Sequence, residues 1–212
     1  MPHRSGNGSD GSRRQPVAPV GLLSSAAAPV LLIGGWTIAA ARQHGGFDSV
    51  EQTISDLAAY GADDRWVMTT ALAGLGLCHL TTAAALRDVA APAGRAVLAG
   101  GGVATVLVAV FPLPADGSGS AAHTLVAGTA FLALSVWPAL AARRHGSALL
   151  RPVPSAVAAA TLLGLVGWFG VRLQVDEGVG LAERVTAGAQ ALWPMAVTWG
   201  AAMAARRRRR HG

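Results

Sequence analysis

Lysine is absent from this sequence, cysteine occurs once, and only 13% of the residues are charged. Each shortage excludes something. With Cys78 as the single thiol, no intramolecular disulfide can form, and cysteine usage assigns no redox compartment. All 17 basic residues are arginine, a bias to which no mechanism attaches. The scarcity of charge matters most: soluble domains typically carry about 25% charged residues, and half that proportion cannot coat a water-facing globule. Hydrophobic residues make up 52% of the chain, and the mean hydropathy is +0.43.

The apolar residues are not scattered. Six stretches, Pro19 to Ala41, Trp66 to Leu86, Ala96 to Leu113, Ala121 to Ala141, Val153 to Val171 and Val185 to Ala205, contain no Asp, Glu, Lys or Arg. A helix rises about 1.5 Å per residue and a bilayer core is roughly 30 Å thick, so each stretch is long enough to cross a membrane. The expected fold is all-α, a polytopic bundle of six transmembrane helices. Residues 17–205 would form one membrane domain, between a disordered polar tail over 1–16 and a basic tail over 206–212.

Arginine predicts how the chain threads. Thirteen of the 17 lie in the N-terminal tail, the second and fourth loops and the C-terminal tail; the other loops hold only Arg42, Arg65, Arg172 and Arg184. Short cytoplasmic loops retain positive charge, so both termini are expected in the cytoplasm of a cell (plasma) membrane protein. Nine of the 11 acidic residues fall on the opposite, outer side. The arginine run from Arg206 to Arg210 follows the last apolar stretch directly, which suits contact with anionic lipid headgroups rather than nucleic acid. Arg13 and Arg14 before an apolar run raise a signal-peptide alternative, cleaved near Ala39 to Ala41. The first stretch is longer than the roughly 7 to 15 residues of a signal core, which favours a retained span.

In the first outer loop, FDSVEQTISDLAAYG, Ser49 and Gln52 have capping-box spacing, and Val50, Ile54 and Leu57 recur at helical intervals. A short interfacial helix is predicted there, its polar side toward water or toward the tops of the bundle helices. Within the spans, Gly74, Gly76, Gly100 to Gly102, Gly164, Gly167 and Gly170 would let helices approach closely or support a homo-oligomer. Pro29 and Pro194 should kink their spans. Trp66 and Trp168 on the outside, and Trp137 and Trp199 toward the inside, are placed as interfacial anchors.

Few polar groups remain to carry chemistry. Intramembrane His79 reads as a neutral histidine hydrogen-bonded to a neighbouring helix, and Gln190 lies seven residues after Glu183 on one face of the last span. No cofactor motif and no metal-ligand spacing is evident. The sharper expectation is an outer-face cluster of Ser55, Asp56, Asp116, His123, Arg172, Glu183 and Arg184, either a functional site or a network of ion pairs tying loop ends together.

The pieces ISDLAAYGADDRWVM, FPLPADGSGSAAHT and GLAERVTAGAQALWPM, in that order among six spans, resemble the bacterial multi-pass family catalogued as domain of unknown function 998. The resemblance runs from about Val17 to Ala205 and implies a six-helix membrane domain. Its recurring positions match Ser55, Leu57, Asp116, His123, Gly180, Leu181 and Arg184, with departures at Ala58, where glycine is common, and at Gly117, where proline is frequent. The resemblance implies no reaction. Three function classes follow: a non-enzymatic membrane protein acting through helix or lipid contacts, an outer-leaflet lipid hydrolase or transferase with His123 as base and Asp116 or Asp56 as an orienting or metal-binding carboxylate, and a small-solute transporter.

Overall fold

The structure, a computed structural model, describes residues 17–210 apart from Gly117 and Gly146. The tail expected to be disordered over 1–16 and the last two residues lie outside the described residues. Six α-helices account for most of what is described: α1 Pro19–Ala41, α2 Trp66–Ala85, α3 Pro92–Val110, α4 Ala121–Leu140, α5 Pro152–Val175 and α6 Val179–Arg210. No strand occurs among the described residues. Helices α1 to α5 are each long and apolar enough to cross a membrane. The sixth is the longest at 32 residues, because it does not stop where the apolar residues do but runs on through Arg206 to Arg210. The basic segment read as a separate tail is the last turn and a half of this helix.

The helix starts follow from local chemistry. Pro19, Pro92 and Pro152 stand in the first turns of α1, α3 and α5, where a fixed φ is already helical and the missing N–H would have had no partner. Helix α4 begins at Ser120, whose Oγ accepts the His123 N–H at 3.3 Å. Between α5 and α6 the chain reverses within three residues, through left-handed backbone at Asp176 and Gly178.

Each helix packs on the next and α6 packs back on α1, closing a ring. The connections therefore fall on two faces. On the arginine-rich face the 86–91 and 141–151 segments are joined by Ala91 N–H to Ala141 O at 3.1 Å and by Arg143 to the Asp88 carbonyl at 3.4 Å. The opposite face, here the loop face, carries residues 42–65, 111–120 and 176–178; there Tyr60 N–H donates to Leu113 O at 3.0 Å.

Small residues set the closest crossings. A methyl group on either Gly76 or Gly102 would meet the other's carbonyl oxygen, so α2 and α3 touch backbone to backbone, and Gly101 lies against Leu134 of α4. Gly100, Gly164, Gly167 and Gly170, expected at helix contacts, have nothing within 4 Å. Those of α5 face outward; among the helices it packs chiefly on α4 and α6. Pro29 and Pro194 lie inside α1 and α6, and Pro138 inside α4. Trp66, Trp168 and Trp199 are exposed on the bundle surface. Trp137 is not an anchor: it is fully buried, packed with Leu86, Leu98 and Leu150 where α4 meets the two loops of the arginine-rich face.

Candidate functional site

The loop face is built around residues 47–58. Asp48 Oδ1 accepts the Val50 N–H at 2.8 Å, and Gln52 Oε1 accepts the Asp48 N–H at 2.9 Å. The reciprocal cap thus forms one residue earlier than the Ser49 to Gln52 spacing predicts. The short interfacial helix does not follow from it. A second reciprocal pair, Thr53 N–H to Asp56 Oδ2 at 2.7 Å and Asp56 N–H to Thr53 Oγ1 at 3.1 Å, opens a 3-10 turn over Asp56–Ala58.

The reason lies 130 residues away in sequence. A helix here would join Ile54 N–H to Val50 O. Instead Val50 O accepts the Leu181 N–H at 2.9 Å, while Ile54 N–H donates to the Glu183 carboxylate. Glu51 accepts the Gly178 N–H at 2.6 Å, placing a negative charge at the start of α6, where the helix dipole favours it. Arg184 Nη1 donates to the carbonyls of Ser49, Gln52 and Gly180 at 2.9, 2.7 and 3.0 Å, and its guanidinium lies 5.5 Å from the Phe47 ring centre. Gly180 is required for this fit, since a methyl group there would strike the Gln52 carbonyl.

Of the residues predicted to cluster, the structure joins Ser55, His123 and Glu183 directly. His123 opens α4 and is nearly buried; its Nδ1 is 2.8 Å from Phe111 O and its Nε2 3.1 Å from Ser55 Oγ. Ser55 Oγ is in turn 3.4 Å from Glu183 Oε1. Arg184 belongs to the same assembly through the loop carbonyls. Asp56 is occupied by Thr53. Arg172 stands apart at the end of α5, against Gly178, with its buried Nε unpartnered. Asp116 is exposed and turns back on its own loop: hydrogen bonds from Ser118, through its side chain and then its backbone N–H, hold the carboxyl below the ordinary carboxylate range. Neither aspartate orients His123. A backbone carbonyl does, and sequence patterns carry no trace of that. Glu51 was likewise not among the residues expected to cluster.

His79 and Gln190 line one cavity with this cluster. Its volume is about 60 Å3, and Ser55, Glu183, Gln190, Thr105 and His79 supply its polar lining. Gln190 Nε2 donates to Phe131 O at 2.8 Å and Ser135 Oγ at 2.9 Å. His79 departs from expectation, since neither ring nitrogen has a hydrogen-bond partner although the residue is 1% exposed. Helix α3 passes it at Gly102, which has no side chain to offer, and Thr82 pairs with Ser24 Oγ instead at 2.9 Å. An orphaned buried polar group costs about 1–3 kcal/mol.

No curated protein and no solved structure matches the chain. A family profile, described as "Protein of unknown function (DUF998)", matches residues 26–200, a range that takes in α2 to α5, most of α1 and α6, the loop-face cluster and the cavity. The chain belongs to this family.

Proposed function

We propose that this is a six-span protein of the plasma membrane, with both termini in the cytoplasm, that acts without a reaction centre, through helix and lipid contacts. Two features support a sixth span in α6: it closes the ring between α5 and α1, and it runs from the loop face to the arginine-rich face. The gathering of arginine on one face supports the orientation. Helix α1 packs between α2 and α6, which supports its retention as a span rather than removal as a signal. The open glycine face of α5 is the surface we assign to lipid or to a second copy of the chain.

One observation carries the non-enzymatic reading: the groups of the cluster that could do acid–base chemistry already have partners within the chain, and only Arg184 Nε and Nη2 are left without one. Both His123 nitrogens, both Glu183 oxygens and Arg184 Nη1 bind other residues of the same fold. The cluster therefore works as a latch that docks the first loop onto α6. A specific observation favours a second reading. Ser55, His123 and the Phe111 carbonyl stand in the order of nucleophile, base and orienter used in acyl transfer. A fluorophosphonate probe distinguishes the two on the detergent-solubilised full chain. The latch predicts no labelling beyond that of Ser55→Ala and His123→Ala. Labelling that both substitutions abolish would replace it with a serine hydrolase.

A further inference from the structure

Beneath the latch the interior is open rather than solid. The size of the space decides what fits it. Pockets for small organic ligands run to roughly 300–1,000 Å3, whereas one water needs about 10–15 Å3. A cavity of about 60 Å3 therefore suits a short file of waters. Water also needs polar partners. Ser55, Glu183, Gln190, Thr105 and His79 all line this space, and both ring nitrogens of His79 lack a partner.

Counting protons across the latch leads to the same place. The Phe111 carbonyl can only accept, so His123 Nδ1 bears a proton. If the imidazole is neutral, Ser55 O–H donates to Nε2, and Ser55 Oγ is left to accept from a protonated Glu183. If Nε2 is also protonated, it donates to Ser55 Oγ, and Ser55 O–H donates to ionised Glu183. These arrangements hold the same number of protons. They interconvert when the Glu183 O–H proton moves to Ser55 Oγ while the Ser55 proton moves to Nε2, or the reverse, with no change in electron count.

We propose that His123, Ser55 and Glu183 are a proton relay that opens, through water in this cavity, onto His79, an imidazole that accepts a proton inside the membrane. In the inward step the Glu183 O–H bond breaks toward a cavity water, and a proton from the file forms an N–H bond on His79, leaving carboxylate and imidazolium. That transfer leaves His123 without a proton on Nε2, so the carboxylate regains its own, by way of Ser55, only when Nε2 takes one up from water at the loop face; each proton delivered inward is matched by one taken up outside. The charged groups facing Glu183 are Asp56 and Arg184. Helix α1 has no titratable side chain to set against His79, and the only one on α3, Arg95, is turned to the Ala83 carbonyl at 2.9 Å. The inference goes beyond the latch reading, which stands whether or not protons pass.

The single cysteine makes the test possible without altering His79. Cys78 precedes it, so 13C-carbonyl cysteine with 15N-histidine labelling picks out His79 alone among six histidines. The experiment is solid-state NMR on the full chain in phospholipid bilayers, following deuterium exchange at the His79 ring after transfer to heavy water. The native chain is expected to exchange, Ser55→Ala and Glu183→Gln at least tenfold more slowly, and Ser55→Thr at close to the native rate. A His79 ring closed to exchange in the native chain overturns the proposal by itself, whatever the variants do. Native-rate exchange in Ser55→Ala or Glu183→Gln, or slow exchange in Ser55→Thr, overturns it as well.

Discussion

The two faces of the bundle are both rich in charge and use it in opposite ways. On the loop face, Glu51, Glu183 and Arg184 each reach backbone groups more than 120 residues away, so charge holds together segments that no local pattern connects. On the arginine-rich face, Arg206 to Arg210 stand exposed along the end of α6, and Arg87 is spent on its neighbour Asp88. A charge that satisfies a buried backbone amide is part of the fold, whereas one at the solvent edge governs where the fold sits.

The comparison breaks first at Glu183. Truncation to Ala leaves the Ile54 N–H without its acceptor and removes the link to Ser55, a loss of about 3 kcal/mol on the scale for hydrogen bonds to charged groups. Reversible unfolding in mixed micelles should report that loss. If Glu183→Ala unfolds like the native chain, the latch does not hold the fold. Gly180→Ala comes next. Its methyl group must push the Gln52 carbonyl away, and overpacking of this kind costs about 1–3 kcal/mol; amide exchange should rise over residues 48–58 while the arginine-rich face stays protected. The smallest change in stability is expected from replacing Arg206 to Arg210 with Gln, under about 0.5 kcal/mol, as for exposed positions generally. The same substitution should disturb the orientation of the C-terminus in a reporter fusion, an effect the loop-face variants should lack.

That division also explains what could be read from sequence. The helices were legible because excluding charge from about 20 consecutive residues is a one-dimensional property; α1 to α5 match their stretches to within four residues, while α6 starts six residues earlier and ends five later than its stretch. The first loop was misread for a physical reason. Val50, Ile54 and Leu57 do have helical spacing, but the hydrogen bond that would turn spacing into helix is divided between Leu181 and Glu183, and periodicity cannot register partners on another element. Asp116 fails to join His123 because an Asp two residues before Ser118 closes a turn on itself, a local preference that the sequence did carry. The burial of His79 was legible. Its lack of a partner was not, since that depends on Gly102 of the next helix.

Because α6 stays helical to Arg210, its five terminal guanidinium groups leave the axis at successive steps of about 100° and so encircle it. On the six-span reading proposed above, such a collar would meet headgroups at every rotation of the helix and resist sliding toward the bilayer centre whichever way the segment turns. The helix that bears Glu183 at its other end would thereby be fixed in depth. A displacement of the first loop would then have to appear as tilt or local unwinding rather than as piston-like travel.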